Sequence, residues 1–237
     1  MLSRIVLKRG GKAEGESPFW ISFADLMTAL MTLFLVVMAV TLVTVMEGRT
    51  QEEAKKIQRE KDISELMSEI EESSREFKAV KVNKSTYRID LGDKVNFDSG
   101  RADIDAAEAK FLRSYVPLLL KAQASQIGQK WIRRIVIEGF TDQDGTYLYN
   151  LALSLNRSKS VVCVLFAPVP SDEVALTAGQ KTQISDLFLV GGYSFNSIRL
   201  NKAESRRVEF KVEFWQFDDA EKKGGAAKPP GLEFGQC

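Results

Sequence analysis

Histidine is absent from the 237 residues, which removes imidazole catalysis and any histidine-ligated metal. Cysteine is almost absent: Cys163 and Cys237 are the two, and they lack metal-ligand spacing, so no metal site is expected. A surplus of one charge is missing too. With 33 Lys and Arg against 32 Asp and Glu, the formal charge of +1 gives no nucleic-acid footprint. A hydrolase needs a metal, a nucleophile with its base, or a carboxylate pair. Only carboxylates remain, and no supporting arrangement of them stands out, so neither enzyme activity nor a cofactor is expected.

What is present is a long apolar run, Phe19 to Met46, with a single ionisable residue, Asp25. Leu26 to Met46 gives 21 uncharged residues, about 31 Å of helix and enough to cross a bilayer. A carboxylate inside such a helix costs on the order of 2.5 to 3.5 kcal/mol to insert, so it should face protein or water. The alternative is an Asp merely solvated among headgroups, but Phe19, Trp20, Ile21 and Phe23 put the water boundary upstream of it. Ser22, Asp25, Thr28 or Ala29, and Thr32 recur at helical spacing and share one face. Without the acid this narrow stripe reads as a helix-packing surface. With it, the stripe is a candidate ion path.

The stretch Phe19-Trp20-Ile21-Ser22-Phe23-Ala24-Asp25-Leu26-Met27-Thr28-Ala29-Leu30-Met31 resembles the membrane motif of MotB-type subunits, the peptidoglycan-tethered half of ion-driven rotary motors. The resemblance implies that Asp25 carries a transported H+ or Na+, with Ser22, Thr28 and Thr32 beside it. It also implies two copies inside a ring of five MotA-like subunits in a bacterial inner membrane. The short chain and the wording FADLMTALMTLFLVVM are most similar to stator-type subunits of anti-phage defence; a flagellar MotB-type subunit is the alternative, and a static peptidoglycan tether a third.

Residues 1–18 read as a short cytoplasmic tail that stays attached as part of an anchor. The Lys/Arg balance does not orient the helix, since Met1 to Pro18 carries four and Glu47 to Lys61 five. Residues 47–85 read as a charged helical linker with a stripe of Ile63, Leu66, Met67, Ile70 and Phe77. The stripe suits pairing with a second copy, and a solvated single helix is the alternative.

The soluble domain is expected over 86–217. Tyr87, Ile89 and Leu91 alternate with charges as a strand; Asp105 with Glu108 forms a capping box ahead of a helix that Pro117 should kink. Ile132 to Phe140 reads as a strand, Tyr147 to Ala167 as a helix, Leu187 to Gly191 as a strand and Arg207 to Phe214 as an amphipathic strand. Residues 168–186 form an insertion. The class is α+β, with helices on one face of a small mixed sheet.

Gly139-Phe140-Thr141-Asp142, then Asn150, Leu153-Ser154 and Arg157, then Asn201 and Arg206-Arg207-Val208-Glu209-Phe210, together resemble the signature of OmpA-like peptidoglycan-binding domains, a βαβαββ arrangement. Phe140 departs from the histidine or tyrosine common there. The resemblance implies a periplasmic C-terminal domain and so a cytoplasmic N-terminus. It assigns Asp142 and Arg157 to the ammonium and carboxylate of a diaminopimelate, with Thr141, Asn150, Ser154, Arg206 and Arg207 around them. By spacing alone, Asn150, Ser154 and Arg157 lie on one helix face, and Asp142 with Arg157 reads equally as a structural ion pair. Arg206 and Arg207 read equally as surface-strand residues. Residues 218–237 form a Gly- and Pro-rich flexible tail. Cys163 is either an ordinary core residue, with Cys237 free or bridging two copies, or, in an oxidising periplasm, the partner of Cys237.

Overall fold

The computed structural model describes residues 19–169, 173–217, 234, 235 and 237. The expectation for 1–18, and most of that for 218–237, lies outside them. The chain divides into two compact units, Met1–Lys55 and Lys56–Cys237.

Helix α1 runs Phe19–Ser74 and contributes to both units. No proline interrupts it, and Gly48 is its one glycine. From Ser22 to Lys55 every side chain is exposed, and this stretch is long and apolar enough to cross a membrane. The second unit is a five-stranded sheet with helices. Strands β1 (Lys81–Asn83) and β2 (Arg88–Asp90) form a hairpin, followed by α2 (Ala106–Ala124), α3 (Gln126–Trp131) and β3 (Ile132–Gly139). Then come α4 (Tyr147–Phe166), α5 (Ala178–Leu187), β4 (Phe188–Gly192), α6 (Lys202–Ser205) and β5 (Val208–Phe214).

The strand order is β1-β2-β5-β3-β4, antiparallel except for the parallel β3–β4 pair. Register places Ile89, Phe210 and Ile137 side by side, all fully buried. The alternate residues Arg88, Lys211, Glu209 and Glu138 occupy the opposite face. The four expected strands are present. β1 is additional, too short at three residues to leave a periodic signal. α2 begins with the expected capping box and continues through Pro117. The 168–186 insertion holds α5, which starts on a capping box of Thr177 and Gln180.

The span 47–85 differs from the expected linker. Ile63, Leu66, Met67 and Ile70 are at most 2% exposed, packed in the core of their own domain. They are therefore neither a seam for a second copy nor a solvated face. Helical spacing shows that one side is apolar but not which surface covers it. α1 stops at Ser74, whose hydroxyl donates back to the Ile70 carbonyl and meets the Tyr115 hydroxyl at 2.9 Å. Phe77 then packs edge-on against Phe111 and Tyr115. Two polar contacts fix the helix where it enters the domain. Arg59 Nε donates to the Trp215 carbonyl at 2.9 Å, and Asp62 Oδ2 accepts from Trp131 Nε1 at 2.8 Å. Burial opposes the Asp62 charge, but hydrogen bonds from Trp131, Gln58 and Lys130 outweigh it and hold the carboxyl below its ordinary value.

Cys163, in α4, is bonded to Cys237, a separation of 74 residues. Of the readings the sequence left open, the intrachain bridge is the one found. Phe234 packs on Phe166 beside it, with ring centroids 4.7 Å apart. On the chain-entropy account, closing so long a loop stabilises the fold by roughly 4 kcal/mol.

The burial of α1 is testable by truncation. Leu66→Ala should lower the unfolding free energy by about 2 to 5 kcal/mol, read from denaturant unfolding followed by tryptophan fluorescence. A change near zero, as on a solvated helix, would remove α1 from the core.

Candidate functional site

Each unit holds one group of the residues singled out in the sequence. In the first, Asp25 is exposed on α1, with Ser22, Thr28 and Thr32 at helical spacing along it. Thr28 Oγ1 donates to the Asp25 carbonyl and Thr32 Oγ1 to the Ala29 carbonyl, each at 2.9 Å. Both hydroxyl protons are thus committed to the helix backbone, and each hydroxyl offers outward only its oxygen lone pairs. A carboxylate beside hydroxyl oxygens is an acceptor surface suited to a cation.

In the second unit the geometry starts from two glycines. A Cβ on Gly139 would lie 2.0 Å from the Ser154 carbonyl oxygen, and one on Gly192 would lie 2.8 Å from the Leu155 nitrogen. α4 therefore rests directly on the ends of β3 and β4. The chain leaves β3 through Phe140, Thr141 and Asp142, turns at Gly145 with φ 100°, and enters α4 with Thr146 as N-cap. Asn150 Nδ2 closes this turn by donating to the carbonyls of Asp144 at 2.9 Å and Thr146 at 3.2 Å. Ser154 Oγ donates to the Leu151 carbonyl and accepts from the Ser194 N–H at 2.9 Å. The face carrying Asn150, Ser154 and Arg157 thus looks into the protein.

Arg157 is fully buried. Its guanidinium donates to three backbone carbonyls: Arg101 at 2.9 Å, Phe140 at 2.8 Å and Asp98 at 3.0 Å. It also lies 5.0 Å over the Phe97 ring. Burial pulls its pKa down to about 10, against the nearby Asp142 charge, so it stays protonated at neutral pH. The structural ion pair that spacing alone allowed between Asp142 and Arg157 is not formed; Asp142 Oδ2 pairs instead with Arg206 Nη1, at 3.0 Å. Arg206 Nε donates to the Phe97 carbonyl, and Asp142 Oδ1 accepts from the Asp144 N–H at 3.2 Å. Arg206 keeps 20% of its side chain exposed while Asp142 is buried, so the arginine is the member of this pair within reach of solvent. Arg206 also borders a cavity of ≈ 420 Å³, together with Phe97, Asp98, Arg101 and Glu108.

Arg207 does not join this group. It is buried, donates to Glu209 Oε1 at 2.7 Å and to the Ser197 carbonyl, and sits 4.3 Å over the Phe140 ring. Burial lowers its pKa, and Glu209 opposes the shift. Thr141 is brought to the site but is itself buried, and its Oγ1, like Asn150 Oδ1, has no hydrogen-bond partner. Asn201 caps α6, accepting from the Glu204 N–H.

Several contributors had no clear signal in the sequence. Lys202 pairs with Asp144 at 2.6 Å across the loop, a contact 58 residues apart in the chain. Glu138 is fully buried on the charged face of the sheet, opposite Glu209, with Arg88 Nη2 2.8 Å from its Oε2. Burial pushes its pKa up, while Tyr193 and the Arg88 charge pull it back. Its alternate position on β3 was visible in the sequence, but its cover was not.

Comparison with known proteins adds to this geometry. Residues 7–57 match a family described as membrane MotB of the proton-channel complex MotA/MotB. The chain is 43% identical over 218 residues to the Zorya protein ZorB of Escherichia coli O139:H28 (strain E24377A / ETEC), covering 92% of this chain and 89% of that one. Among solved structures, a putative MotB-like protein from Desulfovibrio vulgaris has a TM-score of 0.43 at 16% identity, covering 66% of this chain and 96% of its own. The cell wall anchor of the T6SS from Pseudomonas aeruginosa has a TM-score of 0.39 at 19% identity, covering 63% and 97%.

The different settings of the charged residues predict different costs. Arg157→Ala strips three backbone carbonyls of their donor, that of Phe140 in the buried interior, and should lower stability by on the order of 3 kcal/mol or more. Asp142→Ala should cost clearly less, because Arg206 can turn to water. Denaturant unfolding of both variants checks the order, and equal losses would contradict a structural role for Arg157.

Proposed function

The chain belongs to the family of the Zorya protein ZorB, and from that membership we propose that it is the peptidoglycan-anchored, ion-conducting subunit of an ion-driven motor in the bacterial inner membrane. The identity over nearly the whole of both chains carries this reading. The matched segment 7–57 includes Asp25, the ionisable residue of the apolar run. The chain is a single-pass membrane protein of the MotB-like stator type, and translocation rather than covalent catalysis is its chemistry.

The physical logic of Asp25 is neutralisation. An ionised carboxylate in a low-dielectric setting is costly, and one that has bound a proton or Na+ is not. Loading and release therefore change what surroundings the helix tolerates, which is the differential interaction that motion requires. We place the N-terminus in the cytoplasm and the second unit in the periplasm, where the Cys163–Cys237 bridge is compatible with the redox conditions. MotA-like subunits, five by resemblance, surround two copies. A static tether would need the wall-binding domain without Asp25.

Wall binding is read as charge exchange. Asp142 and Arg206 satisfy each other in the free domain; a zwitterionic stem-peptide residue offers an ammonium to Asp142 and a carboxylate to Arg206, replacing one pair by two. Arg206 suits the carboxylate better than Arg157, since it is accessible and Arg157 is spent on carbonyls. Arg157, Ser154 and Asn150 then hold the loop that presents Asp142, and Thr141 lines it.

Asp25→Asn keeps the shape and removes the titratable charge. It should abolish protection from phage in a plaque assay while leaving membrane insertion and wall binding intact; full protection would end the ion-carrier role. For the second unit, Asp142→Ala should lose most binding in pull-downs with purified sacculi, since truncating one partner of such a pair costs about 2 to 5 kcal/mol. Undiminished pull-down would reject the site.

A further inference from the structure

The five-stranded sheet has two edges, and the chain treats them differently. β1, at one edge, is Lys-Val-Asn, with Lys81 exposed and Lys84 just beyond it. Lysines on an outer strand discourage pairing with another strand. β4, at the other edge, reads Phe188-Leu189-Val190-Gly191-Gly192 and carries neither charge nor proline. Leu189 is 46% exposed and Val190 43%.

Among the described residues the backbone of β4 has an open side. The Tyr193 N–H donates to the Gly139 carbonyl at 3.0 Å and so points at β3. Backbone groups alternate along a strand, so those of Leu189 and Gly191 also point at β3, and those of Val190 and Gly192 point away. The Phe188 N–H is taken by the Ile184 carbonyl at the end of α5, leaving its carbonyl on the open side. Among the described residues only β3 pairs with β4.

We propose that this open edge pairs antiparallel with β4 of a second copy, about a two-fold axis at Val190, joining the two sheets into one. The edge is self-complementary under that operation. Val190 meets Val190 of the second copy as a pair that exchanges both its N–H and its carbonyl, and each Gly192 N–H faces a Phe188 carbonyl. Each Leu189 lies over Gly191 of the other copy, which has no side chain to oppose it. Val190 shares the helix-side face with its register partner Ile137, and Leu155 of α4, 45% exposed beside Gly192, extends the apolar contact. A second copy is the favoured occupant for one more reason. The Ile63–Ile70 stripe, the other surface in the sequence suited to self-pairing, is buried in its own domain. This inference concerns where copies meet and stands apart from ion conduction and wall binding.

The test is position-specific cross-linking of the full chain in membranes. A photoreactive amino acid replaces Leu189 in one copy, the other copy carries heavy isotopes, and adducts are identified by mass spectrometry. The expected adduct joins residue 189 to residues 187–193 of the differently labelled copy. It should fall several-fold with Val190→Lys, which sets like charges opposite each other while leaving the β3–β4 ladder intact, as retained disulfide and unchanged melting would verify. The same probe at Leu200, fully exposed elsewhere, should give no such adduct. Adducts only to residues 218–233 of the same chain, only to a different protein, or to a second copy but unchanged by Val190→Lys would each overturn the proposal, as would no inter-copy adduct.

Discussion

α4 can lie against the sheet only because Gly139 and Gly192 leave room for its backbone. That close approach sets the rest of the site. It puts Ser154 against the Ser194 N–H, which holds the segment after β4, and it drives Arg157 into the space bounded by Phe97 and the carbonyls of Asp98, Arg101 and Phe140. A buried guanidinium is tolerable there because each hydrogen bond it donates offsets part of its lost hydration. Arg157 in turn joins the 98–101 loop to the end of β3. Asp142 and Arg206 then face each other across that junction.

The same arrangement explains which charged residues remain available. On the outer face of the sheet, Arg88, Arg199 and Arg207 converge on Glu209, and Arg88 also reaches Glu138. Those charges neutralise one another within the fold. At the α4 end the pairs are Asp142 with Arg206, open to water only through the arginine, and Asp144 with Lys202, exposed on both sides. An exposed pair such as Asp144 with Lys202 contributes little to stability.

Much of this was legible in the sequence, and the limits come from what periodicity encodes. The alternation of Val208, Phe210, Val212 and Phe214 marked β5, and Asp105 with Glu108 marked the start of α2, because both are local patterns with local physical causes. Asn150, Ser154 and Arg157 were correctly placed on one face of α4, but spacing does not say whether that face looks outward. For α1 the same limit had the opposite effect: the apolar side was visible, and its burial against the chain's own domain was not. The partner of Asp142 lies 64 residues away, and the choice of Arg206 over Arg157 depends on where Phe97 places the loop. Resemblance supplied residue types, and only packing distinguished the accessible arginine from the buried one.

α1 also bears on how a wall-tied ion carrier can work. The helix holding Asp25 is the helix whose last turns supply Ile63, Leu66, Met67 and Ile70 to the core. Any load borne by the membrane segment reaches the domain through the covalent chain, and within the domain it meets the contacts of Arg59 and Asp62 and then those four side chains. Arg59 and Asp62 reinforce that entry with contacts to Trp215 and Trp131, from parts of the chain just after β5 and just before β3. A solvated linker would give under load, since single-helix stability in water is marginal. A helix end held by buried apolar side chains and hydrogen bonds resists until the core itself opens.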